Sequence, residues 1–155
     1  MRLDQILKIE FLNDNLQARN KTEVLAELSE MIIKGGRNLD KLQVLDILLQ
    51  REKLGSTGIG DGVAIPHGKL GTLQDIVLAF GRSREGVAFD SIDGRPVHLF
   101  FLLLAPENSA GQHLKALAKI SKMLKVGNFR KKLMEAKSKN DIYKVIIEQE
   151  EACLL

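Results

Sequence analysis

The chain alternates between stretches with helical and extended hydrophobic spacing. From Asn20 to Gly35, Val24, Leu25, Leu28, Met31 and Ile32 recur at three- and four-residue intervals, the stripe of an amphipathic helix. Asn20 and Glu23 stand as a capping box at its start, and Gly35 and Gly36 stop it. A second helix is predicted from Asp40, as cap, through Leu42, Leu45, Leu48 and Leu49 to about Lys53. Ahead of both, the apolar patches of residues 1–19 are interrupted by Asn13, Asp14 and Asn15, and read as a short turn of helix and an edge strand.

Beyond residue 62 the pattern becomes extended. Val63, Ala64 and Ile65 make a brief strand that Pro66 should end, because proline fixes its own φ and biases the residue before it away from helix. Asp75 to Ser83 reads as a strand and Gly86 to Asp90 as a shorter one. After a tight turn at Asp93 and Gly94, Val97 to Ala105 is apolar on both alternating faces, as a central, buried strand requires. A long helix then runs to about Val126 with Leu114, Leu117, Ile120 and Leu124 on its core face, and a terminal helix spans Asp141 to about Glu151 ahead of a loose tail. Helices, then strands, then helices again make an α/β layered domain with a mostly mixed sheet, one domain over residues 1–155.

Composition narrows the class. With 45% hydrophobic and 28% charged residues, a chain of 155 residues buries a real core. Leu99 to Ala105, the longest apolar stretch, is too short to cross a bilayer, and the first residues lack a secretory pattern, so a cytoplasmic protein without membrane insertion is expected. The single cysteine, Cys153, excludes an internal disulfide. Between Asn108 and Asn140 nine lysines and arginines face one acid, Glu135; Lys115, Lys119 and Lys122 lie away from the leucine stripe, and a solvated basic face accounts for them. No helix-turn-helix spacing, zinc pattern or aromatic platform supports nucleic-acid binding, so none is expected.

Chemistry concentrates in Arg51 to Lys69, REKLGSTGIGDGVAIPHGK. Glycines at 55, 58, 60 and 62 form a flexible loop feeding the short strand that stops at His67, and Gly68 leaves room beside the ring. Two glycine motifs fail here. A dinucleotide fingerprint needs two residues between its second and third glycines and a helix directly after. A nucleotide phosphate loop needs glycine at 63 and serine or threonine at 70, where Val63 and Leu70 stand. What remains is a nucleophilic or acid–base histidine, since a neutral imidazole attacks near pH 7 and a phosphoryl group on its nitrogen leaves readily. On residue chemistry alone, Arg51 reads as a complement to the helix dipole or a surface ion pair, His98 as a strand histidine bonded to its surroundings, and His113 as either a capping or half-buried surface histidine or a site residue near a helix N-terminus.

Glu52, six residues, Ile59, Gly60, two residues, then Val63, Ala64, Ile65, Pro66, His67 and Gly68 resemble the active-site signature of the fructose/mannitol-type EIIA proteins of the bacterial phosphoenolpyruvate-dependent phosphotransferase system. The fuller run resembles the nitrogen-regulatory branch, the EIIA-Ntr proteins. This resemblance implies helices on both faces of a mixed β-sheet. It also implies His67 as phosphoryl acceptor, Arg51 holding the phosphoryl group, and His113 beside it hydrogen-bonding the phosphoryl oxygens while neutral, with Ser56 and Thr57 as further donors. No metal, nucleotide or other cofactor is called for, because the group arrives on a histidine phosphocarrier of the HPr or NPr type. The nitrogen branch implies regulation of target proteins, among them potassium-uptake components and sensor kinases. The alternative is a sugar-specific EIIA serving a separate EIIB. A basic-face binding module with a vestigial site stands against the intact signature, and a hydrolase lacks a serine or cysteine nucleophile in any recognisable motif.

Overall fold

The computed structural model describes residues 1–154. Its centre is the strand Val97–Pro106, every residue of which is buried except the half-buried His98. Successive side chains of a strand point to opposite faces, so this burial requires cover on both. In chain order the strands are β1 (Leu7–Asn13), β2 (Gly58–Gly60), β3 (Val63–Ala64), β4 (His67–Leu70), β5 (Val77–Val87) and β6, the central one. They form one six-stranded mixed sheet of order β1-β5-β6-β3-β2, with β4 also paired to β6. β5 runs antiparallel to β6, whereas β3 and then β4 run parallel to it along its other edge.

The helices fall into two groups. α1 (Lys21–Lys34) and α2 (Lys41–Lys53) pack on each other and against β1, β5 and β4; α3 (Ala110–Leu124), α4 (Gly127–Glu135) and α5 (Lys139–Leu154) pack together against β6 and β1. Both early N-caps form: Asn20 accepts from the Glu23 N–H at 2.9 Å, one half of the predicted capping box, and Asp40 accepts from the Leu42 N–H at 3.0 Å. The short 3-10 helix Leu3–Gln5 and the edge strand β1 also match expectation.

Several boundaries differ. His67 opens β4 instead of ending β3: the Ile65 N–H turns to the Thr57 carbonyl and Pro66 has no N–H for the ladder, so pairing with β6 breaks over these two residues and resumes at the histidine. The glycine loop is partly ordered, with Gly58 and Gly60 paired to β3. Of the predicted strand over 86–90 only Gly86 and Val87 form one, as the far end of β5 carried past a register shift between Arg82 and Val87; Ala88 makes an isolated bridge to Asn20, and 89–90 lie outside any strand. α3 stops at Leu124 and a separate α4 follows, its buried face being Phe129 and Leu133. Leu114, expected in the core, is 67% exposed, and the buried face of α3 is His113, Ala116, Ile120, Met123 and Leu124. α5 begins at Lys139 and continues through the expected tail as far as Leu154, Leu155 lying outside the described residues; within it buried Glu150 accepts from the Leu3 N–H (2.9 Å) and from Lys119 (2.8 Å), tying the first residues and α5 to α3.

One buried cation joins the sheet to the later helices. Arg82, fully buried on β5, donates to the carbonyls of Leu133 (2.8 Å) and Ala136 (2.6 Å) at the end of α4 and to Asp14 (3.1 Å). A guanidinium suits a helix C-terminus, where unpaired carbonyls gather partial negative charge. Arg82→Met is therefore expected to lower unfolding free energy by about 1–3 kcal/mol, leaving those carbonyls unpaired. Urea denaturation checks this, with a shifted midpoint at unchanged slope as the expected result and Arg82→Lys falling between the two.

Candidate functional site

Three elements converge on one corner of the sheet. Arg51 lies in the last turn of α2, His67 is the first residue of β4, and His113 lies in the first turns of α3, which the turn after β6 returns beside β4. α2 lies close on β4. A Cβ on Gly68 would stand 2.6 Å from Cγ2 of Ile47. The glycine thus admits the helix, correcting the expectation that it leaves room beside the ring.

The ring of His67 is half-buried and oriented from both ends. Nδ1 donates to the Ile65 carbonyl at 2.8 Å, which places the ring proton there and leaves Nε2 as the basic nitrogen. Nε2 accepts from Nε of Arg51 at 3.3 Å, and Nη1 of the same guanidinium donates to the Gly55 carbonyl at 2.8 Å. The His113 ring stands edge-on to His67, centroids 5.4 Å apart and planes at 81°. His113 is buried at 5% exposure and its Nε2 has no hydrogen-bond partner.

Both imidazoles are held neutral. Burial pushes His67 below its ordinary value, the Ile65 carbonyl opposes this, the Arg51 cation lowers it further, and the Glu52 carboxylate raises it. His113 is pushed down to about 4, first by burial, then by the charge His67 gains when it protonates and by the Lys69 cation. The expectation of a neutral His113 thus has burial behind it rather than the helix terminus.

The histidines open into a cleft of about 580 Å³ whose apolar lining includes Ile47, Leu54, Leu114 and Leu117. Its charged lining residues are Arg51 and Lys69, with no carboxylate among them. Leu54 and Leu114 are 85% and 67% exposed, forming an apolar rim. A basic, uncharged nitrogen in a cationic, acid-free cleft suits attack on an anionic electrophile such as a phosphoryl group.

Ser56 and Thr57 do not join this group. The Ser56 hydroxyl donates to the Phe89 carbonyl at 2.8 Å and accepts from the Gly58 N–H at 3.0 Å, while that of Thr57 donates to the Glu52 carboxylate. His98 behaves as its strand position suggests, Nδ1 donating to the Ser83 carbonyl at 2.9 Å. Sequence reasoning gave no role to Lys69 or to Glu52, which is buried beside the glycine loop. The signal for Glu52 was an acid in the last turn of α2, next to Arg51. Among the described residues no three His, Cys, Asp or Glu side chains gather as metal ligands would.

Residues 5–149 match the family model of the phosphoenolpyruvate-dependent sugar phosphotransferase system, EIIA 2. The chain belongs to the EIIA type 2 family. This EIIA domain is 42% identical over 147 residues to a nitrogen regulatory protein of Bradyrhizobium diazoefficiens, covering 94% of this chain and 95% of that one. It is 36% identical over 146 residues to the fructose-specific EIIABC component of Bacillus subtilis, covering 94% of this chain but only 23% of that relative. The crystal structure of the nitrogen regulatory protein IIA-Ntr from Neisseria meningitidis superimposes with a TM-score of 0.87 at 35% identity, covering 93% and 98% of the two chains. No helix among the described residues is long and apolar enough to cross a membrane.

The depressed histidines of this EIIA domain make its stability pH-dependent. The unfolded chain protonates His113 near 6.5, whereas the folded protein resists protonation until about 4. The resulting stabilisation is complete above 6.5 and is lost as pH falls towards 4; His67, shifted in the same direction, adds to it. Urea midpoints measured across that window should fall more steeply for the wild type than for His113→Gln, and parallel curves would contradict the assignment.

Proposed function

We propose that this EIIA domain carries a phosphoryl group on Nε2 of His67 and regulates target proteins according to its phosphorylation state. The observation that carries the reading is the orientation of His67: Nδ1 is tied to Ile65, and Nε2 is presented to a cationic, acid-free cleft. In the transfer, the bond between phosphorus and the ring nitrogen of an HPr- or NPr-type carrier breaks as the bond to Nε2 forms. The Nδ1 proton stays in place, held by the Ile65 carbonyl. Arg51 swings from Nε2 onto the phosphoryl oxygens, where a guanidinium fork fits. His113 offers its unpartnered Nε2 to the same oxygens as a neutral donor. Ser56 and Thr57, bonded elsewhere, shape the loop.

The regulatory output is supported by similarity over nearly the full length of a nitrogen regulatory protein. Phosphorylation adds about two negative charges, beside exposed Leu54 and Leu114, enough to change which proteins this face accepts. Potassium-uptake components and sensor kinases are the proposed target classes, and the cytoplasm, where phosphocarriers reside, is the proposed location. The second reading, delivery to an EIIB for sugar uptake, is supported by similarity to the EIIA part of a fructose-specific EIIABC component.

Incubation with phosphoenolpyruvate, Enzyme I and either carrier should add one acid-labile phosphoryl group, detected by intact mass and mapped to His67. His67→Ala should remain unlabelled with its fold intact; labelling equal to the wild type would sink the mechanism. His113→Ala should be labelled about 10- to 100-fold more slowly, as expected for loss of one donor to developing charge. Transfer onward to a purified EIIB separates the sugar reading from the regulatory one.

A further inference from the structure

The orientation of His67 can be followed back to a carboxylate that the transfer chemistry does not use. The Ile65 carbonyl that holds Nδ1 belongs to a peptide fixed on its other side, where the Ile65 N–H donates to the Thr57 carbonyl at 3.0 Å. Thr57, 4% exposed, is itself clamped by Glu52: its N–H donates to Oε1 at 3.1 Å and its hydroxyl to Oε2. The Glu52 side chain is only 4% exposed and also takes the ammonium of Lys21 at 3.1 Å, which sits 4.8 Å from the centre of the Phe89 ring. The clamp closes the turn containing Gly55, whose φ of +145° favours glycine and whose carbonyl holds Arg51.

We infer that Glu52 is a positioning residue for phosphoryl transfer: by fixing Thr57 it holds the Ile65 carbonyl where the proton stays on Nδ1 and Nε2 faces the cleft. The inference rests on His67 as the acceptor. The Glu52 carboxylate bonds neither to His67 nor to a residue lining the cleft and positions the ring through three intervening groups, the Thr57 backbone, the Ile65 peptide and the ring proton. A carboxylate is suited to the task because it is acceptor-only, able to take the Thr57 N–H, the Thr57 hydroxyl and the Lys21 ammonium together. An amide in its place turns a donor group towards one of those donors. Misplacing the carbonyl frees the ring to exchange tautomers, and a ring carrying its proton on Nε2 has its lone pair on Nδ1, turned away from the cleft, and none on Nε2 to attack with.

The test compares Glu52→Gln, Thr57→Val and Thr57→Ser with the wild type. Two-bond proton–nitrogen spectra of nitrogen-15-labelled protein read the His67 tautomer directly, without any phosphoryl donor. The wild type and Thr57→Ser should show the proton on Nδ1, whereas Glu52→Gln and Thr57→Val should show a mixture of tautomers. Labelling rates measured against carrier concentration should then fall about tenfold or more at saturating carrier, while the half-saturating concentration stays unchanged, since the docking face is intact. If Glu52→Gln does not fold, Thr57→Val carries the same comparison. A retained Nδ1 tautomer and a saturating rate within about twofold of wild type in the folded variants would overturn the role. Should His67 of the wild type accept no phosphoryl group from any carrier, the functional reading falls and the tautomer comparison alone decides the clamp.

Discussion

Burial of β6 on both faces is the constraint from which the rest follows. A strand with a fully apolar run cannot leave either face in water, so α1 and α2 must cover one face and α3, α4 and α5 the other. The same strand sets where the site forms. β3 and β4 run parallel to it in succession, and Pro66 interrupts the ladder between them, so His67 enters the second segment as its first residue. The chain leaving β6 turns directly into α3, bringing His113 to the same end of the sheet. Residues 51, 67 and 113 therefore meet through topology rather than proximity in sequence.

The proposed transfer places two electrostatic demands on the site. Accepting an anionic group calls for cations, and Arg51 and Lys69 supply them. Attacking through an imidazole calls for a neutral ring, and burial first, then those cations, hold both histidines below their ordinary proton affinity. The two demands reinforce each other because the cleft lining excludes carboxylates. Glu52, the one acid whose charge raises the affinity of His67 for protons, is held behind the loop with its oxygens occupied by Thr57 and Lys21.

Much of the fold was legible because local signals and burial agree. The caps at Asn20 and Asp40, the glycine stop after α1 and the two-sided apolar run of β6 each have one physical reading, and each is found. Failures came where tertiary context chose between equivalent patterns. Leu114 lies on one plausible apolar stripe of α3, yet the helix is rotated so that His113 and Ala116 face inward and Leu114 rims the cleft. The break between α3 and α4 carries no proline, and only Gly127 marks it. Of the site, His67 stood out from its proline–histidine–glycine setting, while Arg51 and His113 rested on family resemblance until geometry joined them. Gly68 was misread because its neighbour across space, Ile47, lies twenty-one residues earlier in the chain.

Arg51 gives the resting site its remaining feature. In the unmodified protein its Nε–H occupies the Nε2 lone pair that attacks in the proposed transfer, so the proposed nucleophile and the proposed phosphoryl clamp hold each other in place. A donor 3.3 Å away is at the long end of a hydrogen bond and costs little to release. An incoming phosphoryl group offers that guanidinium several anionic oxygens in exchange for one neutral nitrogen, a stronger and charge-assisted set of bonds. In the proposed transfer, the contact that protects the lone pair at rest is thus given up most readily to the phosphoryl group that the lone pair would receive, and the second bond of Arg51 to the Gly55 carbonyl keeps the guanidinium within reach for that exchange.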